Sequence, residues 1–209
     1  MKTEKKIPEG FGSVAEVLRC AVVDLRYATQ HNFTGRTVKG YFANTAYLTE
    51  EALKALKEAE TEAVSDGYGL WIFDAYRPKR AVEDFVAWSL EEEDGRTKEE
   101  FYPEHEKKDL FSLGFISKTS SHTHGSTVDL TLYDLNSKNV LDMGGEFDFF
   151  SEVSHYASSA VSEEVAKRRR YLRELMMRHG FVPIEEEWWH FTLKDEPYPD
   201  TVFDFEIHG

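Results

Sequence analysis

"SSHTHGSTVDLTLYD", residues 120–134, joins a polar stretch holding two histidines to a run whose side chains alternate. From Thr127 onward, Val128, Leu130 and Leu132 fall on one side of an extended chain and Asp129, Thr131 and Tyr133 on the other. That is the period-two pattern of a strand with one face in a core. It predicts that Asp129 points away from the apolar face. Gly125, just ahead of the strand, is the residue best able to turn the chain, because it accepts backbone angles that other residues avoid.

Elements on either side of this stretch set the fold class. "LTEEALKALKEAETEAVSDGYG" (48–69) carries leucines and alanines at helical spacing, with Thr49 as N-cap and Gly67 just past the end. "YGLWIFDAY" (68–76) reads as a buried strand, and "RPKRAVEDFVAWSLEEE" (77–93) starts a second helix after Pro78. "TKEEFYPEHEKKDLFSLGF" (97–115) is expected to be part helix, part loop. "EEVAKRRRYLRELMMRHGF" (163–181) is an amphipathic helix closed by Gly180, its run Lys167 to Arg170 a solvated face. "EEWWHFTL" (186–193) returns to a strand. Strands and helices interleave with polar loops between them, so the expected class is α+β, a mixed or antiparallel central sheet flanked by helices. Residues 1–209 are expected to form a single domain, since 209 residues suffice for one good-sized core and no linker or repeat divides them.

Composition excludes several functions. Hydrophobic residues at 41% and aromatics at 14% can fill a core, which rules out a disordered chain. A formal net charge of −14 repels phosphate backbones and anionic lipid, so neither nucleic acid nor a membrane is an expected partner. The first residues hold no apolar run long enough for a secretory leader, and the lone Cys20 cannot form an internal disulfide. The expected location is therefore the cytoplasm, and Cys20, in the apolar run "VLRCAVVDLRYAT" (17–29), is expected to be a buried structural thiol.

His122 and Asp129 would lie roughly 23 Å apart on a fully extended chain, so shared metal ligation requires the chain to fold back between them. A catalytic zinc takes about three protein ligands and keeps one position open. His190, in "EEWWHF", is the natural third. Glu187 stands three residues earlier; on one continuous strand the two side chains would face opposite ways, so a catalytic pairing demands that Glu187 lie in the turn before the strand. From "SSHTHG" alone, a satisfied polar loop is the better reading than a metal site.

A second set of residues changes that balance. "SSHTHGSTVD" fits the pattern S-x-H-x-x-G-x-A-x-D and "EWWH" fits E-x-x-H, and with them "NFTG" (32–35), "DAYRPKRAV" (74–82), "MGGEFDFFSE" (143–152) and "DEPYP" (195–199) occur in order. Together they resemble the VanX-type D-alanyl-D-alanine dipeptidases, zinc enzymes related to D-Ala-D-Ala carboxypeptidases. The resemblance runs from about Tyr27 to Phe205. Thr127 replaces the alanine of the pattern, and His124 stands where relatives carry arginine, a loop position rather than a ligand.

The resemblance implies hydrolysis of D-Ala-D-Ala to two D-alanines, with one zinc ion held by His122, Asp129 and His190 at the sheet. It makes Glu187 the general base and Arg77 the group that stabilises the oxyanion. Asp148, Asp74, Ser120 and Tyr27 match positions around the substrate. The other enzyme reading is a D,D-carboxypeptidase or endopeptidase acting on peptidoglycan stems. Trp188 and Trp189, adjacent in a strand, face opposite ways, so at most one can line the pocket.

Overall fold

In the computed structural model, which describes residues 7–209, the strand read from residues 127–134 lies at the centre of a five-stranded sheet. Short elements open the chain: β1 (Phe11–Ser13), α1 (Val14–Val17), β2 (Ala21–Val23) and β3 (Tyr47–Thr49). There follow α2 (Glu50–Ser65), β4 (Tyr68–Asp74), α3 (Lys79–Ser89), α4 (Lys98–Phe101), β5 (Thr127–Asp134), α5 (Glu163–Arg178), β6 (Phe181–Pro183) and β7 (His190–Leu193). The large sheet runs β2-β4-β5-β7-β6; β2 and β4 are parallel and every other pairing is antiparallel, while β1 and β3 form a separate antiparallel ribbon. This is the mixed sheet of an α+β fold.

The long helices form where the sequence places them. The Thr49 hydroxyl accepts the Ala52 N–H, Glu50 and Glu51 sit in the first turn, and Leu53, Leu56, Ala59 and Ala63 are buried. A cap contributes about 1 kcal/mol and each buried leucine about 1.5–3 kcal/mol, so packing against the sheet outweighs the local signal. Ser162 caps α5 in the same way, accepting from Val165. No helix among the described residues is long and apolar enough to cross a membrane.

Three expectations need correction. Strand β5 is buried on both faces, not one, down to Tyr133. The segment that follows first pairs along the edge of β5, where Leu141 donates to the Leu132 carbonyl and Val140 bridges to Tyr133, and then crosses the face bearing Thr131, where Phe147 stacks on Phe73 at 4.8 Å. Alternation marked the two faces but could not show that a distant irregular segment roofs the polar one. Arg169, within the run assigned to solvent, is only 1% exposed. Cys20 is half-buried rather than sealed in the core.

Candidate active site

Sheet register does most of the work of assembling the site. Asp129 and His190 are directly opposite one another on β5 and β7, where Cβ atoms lie about 4.5–5.5 Å apart. His122 arrives from the other side, on a single 3₁₀ turn (Ser121–His124) that Gly125 ends in the left-handed conformation at φ 82°. A Cβ on Gly125 would fall 2.2 Å from the Phe11 ring, so this turn tolerates no side chain. The Gly125 carbonyl accepts from Thr49 N–H, and the Thr49 and Ser126 hydroxyls are 2.8 Å apart, tying the turn to the N-terminus of α2.

The result is a buried triangle of donor atoms. His122 Nε2 is 3.3 Å from His190 Nδ1 and 3.1 Å from Asp129 Oδ2, and His190 Nδ1 is 3.1 Å from Asp129 Oδ1. Donors each about 2.0–2.1 Å from a tetrahedral zinc lie about 3.3 Å from one another, so the spacing suits that ion. Two more features fit a metal. His122 Nδ1 donates to the Ala75 carbonyl at 2.7 Å, which leaves Nε2 with its lone pair toward the cluster. Asp129 Oδ1 is buried without a hydrogen-bond partner of good geometry, a costly state for a carboxylate unless a cation shares it. Burial alone would raise the Asp129 carboxyl; His122 and His190 beside it overcome this and hold it well below the usual range.

A β-bulge brings the second group of residues alongside. Between Ile72 and Asp74 the β4–β5 register slips, so that Asp74 lies opposite Asp129. Asp74 is fully buried; its oxygens accept from Tyr41 Oη at 2.7 Å and from Arg77 Nε at 2.9 Å. The Arg77 guanidinium lies 5.0 Å from the Tyr27 ring centre and 5.3 Å from that of Phe85, with Nη1 3.5 Å from Ser120 Oγ and Nη2 3.5 Å from Asp129 Oδ2. Its backbone N–H donates to the His122 carbonyl, so arginine and histidine are fixed to each other. Opposite, Tyr27 Oη donates to Asp148 Oδ2 at 2.7 Å. Burial pushes the Asp148 carboxyl well up, against the lowering effect of that bond and of Arg77.

These groups share a cavity of about 320 Å³ whose walls include Tyr27, Arg77, Ser120, Asp148 and Glu187, together with the donor triangle. Glu187 sits in the turn before β7, as catalytic pairing with His190 requires: His190 N–H closes that turn onto the Glu187 carbonyl, and Glu187 Oε2 is 3.4 Å from His190 Nδ1. The enclosing protein raises the Glu187 carboxyl, with the Asp129 charge adding to the effect and His190 opposing it. Asp74 is not among the lining residues; it reaches the cavity through Arg77, and its Oδ2 is 3.7 Å from His122 Nδ1.

Sequence reasoning missed Tyr41, which has no motif around it, and the Ser121 hydroxyl, 3.3 Å from His190 Nε2. His124 turns away from the triangle and pairs with Glu196 at 3.1 Å. Neither tryptophan lines this cavity: Trp189 is buried 5.4 Å from the Phe147 ring, and Trp188 borders a separate cavity on the roofed face of the sheet.

A His-Asp-His donor set opening into a cavity, with a carboxylate and an arginine at hand, places the protein among metal-dependent hydrolases. Its family can be stated. A family model described as D-ala-D-ala dipeptidase matches residues 8–208, and the chain belongs to that family. It is 44% identical over 198 residues to a D-alanyl-D-alanine dipeptidase of Enterococcus faecalis, covering 95% of this chain and 98% of the relative. A protein of the same name from Streptomyces coelicolor is 44% identical over 197 residues, 94% of this chain and 98% of the relative. The Escherichia coli relative, also so named, is 33% identical over 171 residues, 82% and 78% of the two chains.

Proposed function

We propose that this protein hydrolyses the free dipeptide D-alanyl-D-alanine to two D-alanines, with one zinc ion held by His122, Asp129 and His190. The observation that carries this reading is the donor triangle with Glu187 3.4 Å from one of its corners, inside one small cavity. The metal, when bound, polarises the scissile carbonyl and lowers the pKa of water toward ~7.

The chain's own groups do the rest. Glu187 takes the proton of the attacking water and hands it to the leaving nitrogen as the carbon–nitrogen bond breaks; a carboxyl raised by its surroundings is suited to both halves of that transfer. Arg77, fixed by Asp74 and by the Tyr27 and Phe85 rings, offers its Nη groups to the negative charge that develops on the carbonyl oxygen. Asp148, oriented by Tyr27, receives the substrate ammonium, and the Ser120 hydroxyl faces the carboxylate end. An acylated amine would leave Asp148 buried without a cation, which disfavours longer peptides. Asp74 is a positioning residue for Arg77. A cytoplasmic location suits a small free substrate and the unpaired Cys20.

Metal-loaded protein, assayed for D-alanine release, is expected to turn over free D-Ala-D-Ala and to leave an N-acylated tripeptide ending in D-Ala-D-Ala untouched. Comparable release from the blocked peptide would instead identify a D,D-carboxypeptidase.

A further inference from the structure

Helix α5 carries a buried arginine whose guanidinium is spent on backbone. Arg169 Nε donates to the Met143 carbonyl at 2.7 Å, Nη1 to the His155 carbonyl at 2.7 Å and Nη2 to the Val153 carbonyl at 2.9 Å. Its ring neighbour is Trp188, 5.7 Å away. Burial lowers its pKa to about 10, with the charge of Asp142 pushing the other way, so it is a cation at neutral pH. Enclosing a cation without a carboxylate partner is costly, and an apolar side chain of similar size would pack the helix without that cost. What the guanidinium adds is a rigid fork that fixes three carbonyls at once.

Those carbonyls bracket an irregular stretch, and Asp148 lies between them. Asp148 holds φ 61°, in the left-handed region that few residues other than glycine occupy, aspartate among those that do. The stretch is also tied to the turn that carries Glu187: Tyr156 N–H donates to the Glu185 carbonyl at 2.8 Å and Trp188 N–H to the Ser154 carbonyl at 3.1 Å. Among the described residues no strand pairing spans 143–155; local backbone turns, the Phe150 N–H bond to the Phe101 carbonyl and the three bonds from Arg169 hold its shape.

We propose that Arg169 is a positioning residue for the substrate: it anchors residues 143–155 so that Asp148 is presented to the ammonium of the dipeptide. The inference rests on the dipeptidase reading above for the role of Asp148, and its test separates the two. Arg169→Lys keeps the charge but loses the fork; Arg169→Met keeps the packing volume without donors and serves if lysine is not accommodated. Each folded variant is expected to raise KM for D-Ala-D-Ala about tenfold while kcat changes less than about threefold. In an Asp148→Ala background the same substitution is expected to leave KM unchanged, because the group it positions is gone. Hydrogen exchange at the amides of residues 143–155 is expected to quicken in both variants while β5 keeps its protection. An unchanged KM, or an equal rise in the Asp148→Ala background, overturns the proposal. If the unmodified protein releases no D-alanine, the dipeptidase reading has failed; exchange then decides the anchoring by itself, and unchanged protection of residues 143–155 overturns it.

Discussion

The two sides of the catalytic cavity are built by different means. On one side, Asp129 and His190 are paired across β5 and β7 and His122 is locked to Ala75, so ladder hydrogen bonds and one tight turn place the metal donors. On the other, Asp148 sits in a stretch with no ladder, held by Tyr27 from within the cavity and by Arg169 from the helix behind it. The first arrangement places donor atoms to the tolerance that metal chemistry demands. The second combines local backbone turns with a few side chains, each removable by one substitution. Changes on the donor side should therefore abolish chemistry, and changes on the loop side should weaken substrate binding first.

The largest effect is expected on the donor side. His122→Ala removes one corner of the triangle, and metal content together with D-alanine release should show loss of the ion and a fall in activity of at least about 10³-fold. Retention of a full equivalent of metal would break the assignment of that corner. Arg77→Lys leaves a point charge where a fork spans Asp74 and the cavity, and kcat should fall about 10²–10³-fold with the metal kept. A loss of metal instead would mean that Arg77 serves the donor side rather than the substrate. The smallest effect is expected from His124→Ala. His124 pairs with Glu196 and is not among the residues that line the cavity. Metal content should be unchanged and kcat/KM should stay within about threefold; a larger drop would draw this turn's outer face into catalysis.

How much of this could be read beforehand differs between the same two regions. Period-two alternation located β5, the glycine before it announced the turn, and the spacing of Glu187 from His190 stated in advance where the glutamate had to lie. These signals are local, because strands and turns are written in neighbouring residues. The cover over this face of the sheet was not legible: residues 141–150 form no regular element, and their closure depends on a contact with a residue far away in sequence, Phe73. Arg169 was hidden for a related reason. Within Lys167 to Arg170 four cations look alike, and only the tertiary fold decides which one turns inward to meet three carbonyls. Tyr41 carries no pattern at all; its hydrogen bond to Asp74 is a product of the assembled structure.

The central claim is that Glu187 moves the proton while His122, Asp129 and His190 hold the metal. Glu187→Gln keeps the shape and the hydrogen-bonding reach of the side chain and removes its basicity. Measured together, metal stoichiometry and D-alanine release from D-Ala-D-Ala should show a full equivalent of zinc and a rate at least about 10²-fold below that of the unmodified protein. Zinc retained with turnover unchanged would contradict the account.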